Sequence, residues 1–203
     1  MAIIMYFNRA PRIEGVTAKD IKLVESYYTW KKERALDGPY SCDTLEEWCG
    51  VPETEMPHKN IVNYLLDYMS PKKMYVEGIG KQERDSIFEQ LARIANAPHI
   101  LKWIIDNVMG GNADTEHHEV TGEQLAMLRQ KCIHVAAMVS YDSERSIVNI
   151  DAAKETLPLI GDVSNDAYDD FYMLKIKETI EVLNSILGTT DFETQTIYFN
   201  AIW

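Results

Sequence analysis

The chain has little of what most simple functional labels require. Cysteine is scarce: Cys42, Cys49 and Cys132 are the 3 among 203 residues, an odd number with no Cys-x-x-Cys spacing. That excludes a disulfide framework and the usual thiolate zinc sites, and it suits reduced thiols in a cytosolic compartment. Nowhere do ~20 apolar residues run together as a membrane span needs, so no membrane partner is expected. The opening Ala2-Ile3-Ile4-Met5 run is too short for the apolar part of a signal peptide and lacks a basic leader and a cleavage site, so none is expected. Positive charge is also short, with 20 Lys and Arg against 32 Asp and Glu and a net charge of −12. Phosphate contacts dominate nucleic-acid affinity and demand a basic patch, so direct nucleic-acid binding is not expected. An acidic surface serves solubility, and it also fits a basic groove on a partner protein.

Catalytic signatures are missing as well. The Gly110-Gly111-Asn112-Ala113-Asp114 loop follows a helical pattern rather than a strand, and no Gly-Lys-Ser/Thr is present. The phosphate-loop and dinucleotide fingerprints both fail, which leaves a helix C-cap and a loop. Asp114, Glu116, His117, His118 and Glu119 are suitable zinc or manganese ligands by chemistry. They lack the His-x-x-x-His spacing that aims two imidazoles at one ion, so a solvated loop is the competing reading, and no metal or other cofactor is expected.

What is present is an ordinary globular composition, 46% apolar, in a chain long enough to bury a core as one domain spanning 1–203. Ile3 to Asn8 reads as a strand. Thr17 and Asp20 form a capping box ahead of Ile21, Val24 and Tyr28 at helical spacing, and Gly38-Pro39 ends that helix. Asp43 to Gly50 and Pro57 to Pro71 read as further helices, and Lys72 to Val76 as a short strand or a linker. Lys81 to Val108 reads as a long helical segment broken at Pro98. Thr121 with Gln124 is a second capping box, followed by the stripe Leu125, Leu128, Cys132 and Val135. Ser146 to Leu157 is ambiguous, helical toward its end. Asp166 to Leu187 reads as a helix with Gly188 at its C-cap. Thr194 to Trp203 alternates as a strand and needs a partner for its backbone groups, which the N-terminal strand supplies. The expected fold is α+β, mainly α-helical, with a small antiparallel sheet joining the N- and C-terminal strands.

Several pieces fall in a suggestive order. Met5-Tyr6-Phe7-x-Arg9-x-Pro11-Arg12 opens the chain. Arg93-x-Ala95-Asn96-x-x-His99, Trp103-Ile104-Ile105-Asp106-Asn107-Val108, Gly110-Gly111 and Val120-Thr121-x-Glu123-Gln124-Leu125 come later. Leu157-Pro158, Tyr168-Asp169-Asp170-Phe171-Tyr172, Thr179-Ile180 and the ending through Ile197-Tyr198-Phe199 to Trp203 complete the series. Together these resemble a family of small phage and prophage proteins. The family pattern is Trp-Arg-Lys-Ala-Asn-x-Ile-His-x-Trp-Phe, a Gly-containing loop, a Tyr-Asp-x-Tyr-Tyr helix and a final Tyr-Tyr-x-Ser-Ser-Trp. Ala92 stands where that pattern begins with Trp, and residues 24–81 read as an inserted helical lobe. The resemblance implies a phage accessory protein in the cytoplasm of an infected bacterial host; no activity comes with it.

Two groups of residues stand out as candidate sites. If the chain kinks at Pro98, then Arg93, Asn96, His99 and Trp103 converge; Arg offers a bidentate fork and Trp a stacking face for an anionic or planar ligand. The same four residues also make sense as a buried joint whose polar groups satisfy one another. Tyr168, Asp169, Asp170 and Tyr172 open the last long helix, where carboxylates suit the helix dipole and tyrosines suit an interface. The leading expectation is a non-enzymatic protein that binds stoichiometrically to a host factor or antiviral-defence component. The alternatives are a pocket protein that sequesters a nucleotide-like signal and a small metal-dependent hydrolase built on the His117-His118 region.

Overall fold

The computed structural model describes residues 3–35, 57–76, 78–142, 145–148, 150–160 and 167–203. In chain order the described elements are β1 (Ile4–Pro11), α1 (Ala18–Ala35), α2 (Lys59–Leu66), β2 (Ser70–Val76), β3 (Gly80–Ser86), β4 (Glu89–Ala95), α3 (Pro98–Asn107), β5 (His118–Val120), α4 (Gly122–Ala137), β6 (Val139–Asp142), β7 (Arg145–Val148), α5 (Ile150–Thr156), α6 (Asp170–Thr189) and β8 (Gln195–Ile202). The fold is α+β and mainly helical, with a small sheet that joins the N- and C-terminal strands. The chain divides into two units, Met1–Asn8 with Leu91–Trp203, and Arg9–Gln90.

In the larger unit the sheet runs β4-β1-β8-β5. β8 lies between two neighbours, and Thr196, Ile197, Tyr198 and Phe199 are all buried, as a strand covered on both faces must be. β5 pairs antiparallel with it, placing Val120 opposite Ile197. Phe7 and Phe199 meet edge to face at 5.5 Å, and the Asn8 side-chain amide donates to Asn200 Oδ1 at 3.0 Å. Helices α4 and α6 pack together beside this sheet. The capping box at the start of α4 is complete: Gln124 N–H donates to Thr121 Oγ1 at 3.1 Å, and Thr121 N–H donates to Gln124 Oε1 at 2.9 Å. With its start fixed, α4 turns Leu125, Leu128, Cys132 and Val135 into a core shared with Tyr172, Ile176 and Leu183 of α6.

The smaller unit is organised by Glu25 of α1. Its carboxylate accepts from Ser86 Oγ and Ile87 N–H, both at 2.6 Å, and from Phe88 N–H at 3.3 Å. One side chain therefore satisfies the turn that follows β3. β2 and β3 pair antiparallel with Ser70 opposite Ser86 and Val76 opposite Gly80. Asp85 accepts from Lys32 at 2.7 Å, which pulls its carboxyl below the ordinary range.

Two sequence expectations change. The long helical segment over Lys81 to Val108 is two strands and one helix, β3, β4 and α3. Ile87, Leu91 and Ile94 fit a helical stripe, and the Lys, Gln, Glu and Arg of β3 favour helix. Ladder partners in β2 and the β1-containing sheet override that local preference. Gly188 lies within α6 instead of capping it; the C-cap is Thr190, whose N–H donates to Ile186 O at 3.0 Å. The helical lobe expected over 24–81 falls within the smaller unit, which also holds strand β2 and its partner β3. The β6–β7 hairpin, with Val139 opposite Val148, has no counterpart in the sequence expectations. The helix expected over Asp43 to Gly50, and the Gly38-Pro39 stop, lie outside the described residues.

Replacing Glu25 with Ala strands the Ser86, Ile87 and Phe88 donors in a buried turn. The expected loss is about 2–3 kcal/mol, read by denaturant melts, with Glu25→Gln recovering part of it. Equal stability of wild type and Glu25→Ala would contradict this account.

Candidate ligand site

The site begins where β4 turns into α3. Asn96 adopts a left-handed backbone, φ 55°, a conformation asparagine tolerates better than branched residues. Its N–H donates to Ile3 O at 2.8 Å, which pins the turn to the N-terminal strand. Pro98 occupies the first turn of α3, where a missing N–H does no harm, so the predicted break at Pro98 is a helix start. His99 follows in that first turn and is only 1% exposed.

The opposite wall is the start of α6. Asp169 is the N-cap and accepts from Tyr172 N–H at 2.9 Å. Tyr172 is buried, and its hydroxyl donates to Leu157 O at 3.0 Å. Tyr168 accepts from Leu159 N–H at 3.1 Å and lies 5.0 Å from the Tyr172 ring. The His99 ring sits 4.4 Å from that of Tyr172, centroid to centroid. Between these walls is a cavity of about 330 Å³ lined by Asn96, Pro98, His99, Asp169, Phe171 and Tyr172, with Leu159, Ile160 and Ala167 closing the remaining side.

The electrostatics are set by burial. Burial, and then the charge of Lys175, pushes the His99 pKa from 6.5 down to about 3, so the imidazole is neutral at ordinary pH. Neither ring nitrogen has a hydrogen-bond partner among the described residues. Burial likewise raises the Tyr172 hydroxyl well above the usual phenol range, and it pushes the Cys132 thiol up to about 12. Both stay protonated, so neither is a ready nucleophile.

Of the residues singled out in the sequence, Asn96, His99, Asp169 and Tyr172 line this one cavity, which joins the two groups that looked separate. Tyr168 contacts Tyr172 without lining it. Trp103 is 5% exposed and belongs to the core cluster, Arg93 is half-buried on β4, and Asp170 is exposed at the first position of α6; none of the three lines the cavity. Leu159, Ile160, Ala167 and Phe171 were not singled out as site residues. Leu159-Ile160 comes directly after a proline helix stop, which is a signal in the sequence; the 50% exposure of Phe171 is visible only in the fold, and Ala167 carries no signal.

At the start of β5, His118 Nε2 lies 2.7 Å from Oδ1 of Asp114 in the preceding loop. Among the described residues no three His, Cys, Asp or Glu side chains gather as a metal would need. A larger cavity of about 540 Å³ lies in the smaller unit beside α1 and β3, but its Lys32 and Asp85 are bound to each other. No helix among the described residues is long and apolar enough to cross a membrane. Comparison of the chain with protein-family models, curated proteins and solved structures finds no match.

His99 gives a pH signature. Its folded pKa lies below its ordinary 6.5, so between 6.5 and about 3 the unfolded chain binds a proton that the folded chain does not. Stability is therefore lost as pH falls through that window, by up to about 1.4 kcal/mol per pH unit from this group. Denaturant melts from about pH 7 to about pH 5 should show this slope in the wild type and a smaller one in His99→Phe. Identical slopes would show that His99 is not held neutral.

Proposed function

We propose that this is a non-enzymatic protein that acts by stoichiometric binding, and that the cavity between the starts of α3 and α6 is its ligand site. The observation that carries the reading is His99: a buried imidazole that lines a cavity, with both nitrogens unpartnered among the described residues. Buried polar atoms are normally satisfied, and an unsatisfied one marks a place where a ligand can supply the bond. A general base works best with a pKa near the operating pH, and His99 is held far below that. It is suited to recognition by hydrogen bonds. The resemblance to phage and prophage proteins sets the context, the cytoplasm of an infected bacterial host, where withholding a small molecule counters a defence response. Screening the protein against a fragment library by ligand-observed NMR should yield binders at one per chain, and these should be lost in His99→Phe. Failure to find any His99-dependent binder would count against the site.

The net charge of −12 favours a second reading, in which the acidic surface docks on a basic groove of a host protein. A complex of that kind should weaken steeply as salt is raised, because exposed charge pairs are screened. A host complex insensitive to salt would remove the electrostatic case.

A further inference from the structure

Resting on the ligand-site reading, we infer that the cavity selects an uncharged planar heteroaromatic of the nucleobase or nucleoside class and rejects its phosphorylated forms. Size comes first. About 330 Å³ is near the lower end of small-molecule pockets, room for a base with or without its sugar. The walls come next. Phe171 and Tyr172 present aromatic surface, and Pro98 and Leu159 add apolar surface, so a flat ring is a good match.

The polar groups then define the edge that is read. A neutral imidazole carries one N–H donor and one acceptor nitrogen, and the Asn96 amide carries both functions too. Asp169 spends one carboxylate oxygen on the Tyr172 N–H, and its other oxygen can accept from an exocyclic amine. Adjacent donors and acceptors on a rigid ring are what a heteroaromatic base offers.

Phosphate finds nothing comparable. Among the described residues, no lysine or arginine lines the cavity. Lys175, whose charge reaches His99, is bound to Glu178 at 2.7 Å and lies over the Phe171 ring at 5.3 Å. The start of α6, where helix N–H groups would attract an anion, is already capped by the Asp169 carboxylate. A phosphoryl group at this rim meets a fixed negative charge.

The test uses calorimetric titration of the full chain with adenosine, guanosine, cytidine and uridine, and with the 5′-monophosphate of each. At least one nucleoside should bind saturably, with its monophosphate about tenfold weaker or worse. His99→Phe, which keeps an aromatic ring in the core, should weaken nucleoside binding about tenfold while the chain still melts cooperatively. Asp169→Asn, which retains a helix cap, should narrow the gap between nucleoside and monophosphate. A monophosphate that binds as tightly as its nucleoside overturns the proposed selectivity. Failure of all four nucleosides, while fragments still bind in a His99-dependent manner, overturns the ligand class and leaves the site. Failure of nucleosides and fragments alike overturns both.

Discussion

Tyr172 is the side chain on which the candidate ligand site depends. Its backbone N–H is held by Asp169, its hydroxyl by the Leu157 carbonyl, and its ring touches both His99 and Tyr168. A buried hydroxyl without a partner would be costly, so the bond to Leu157 fixes where the chain after α5 must run. Through that one residue the start of α6, the first turn of α3 and the Leu157–Leu159 segment are held in register. The cavity is the space these three leave between them, and its shape follows from a hydrogen-bonded tyrosine more than from any single wall.

Acid–base chemistry and recognition make opposite demands on a histidine. A catalytic imidazole needs contact with water or a carboxylate to keep its pKa near neutrality. His99 has burial and the nearby positive Lys175, both of which disfavour the charged ring. It therefore presents fixed hydrogen-bond functions at any ordinary pH. That constancy favours capture over turnover, and it is consistent with the proposed discrimination: a carboxylate at the rim is compatible with a neutral guest.

Much of the architecture was legible because its signals were local. The two capping boxes, the α4 stripe from Leu125 to Val135 and the α6 stripe from Tyr172 to Leu183 each depend on residues within a turn or two of each other. The strands at both chain ends were readable for the same reason, although their burial on both faces replaces the alternation expected of Thr194 to Trp203. The sequence between Lys81 and Ala95 misled because its apolar spacing suits either a helix or a strand, and only pairing with distant segments decides. The candidate site was half legible. Asn96 and His99 drew notice through the Pro98 break, and Asp169 and Tyr172 through their place at a helix start. Their proximity is a tertiary fact no spacing encodes. Arg93 and Trp103 were grouped with them on the assumption of a helical segment kinked at Pro98, and that grouping dissolves once Arg93 lies on a strand.

The hydrogen bond between Asn8 and Asn200 spans 192 positions of sequence. A contact of that separation is entropically expensive to form early, so it arrives only after more local structure has shortened the effective loop. Helices α4 and α6 can form and meet first, while β1 and β8 wait for one another. Until they join, each strand exposes an apolar edge able to pair with strands of other chains. The molecule's vulnerable moment is thus kinetic: crowded synthesis, more than heat, is where aggregation should compete with the native sheet.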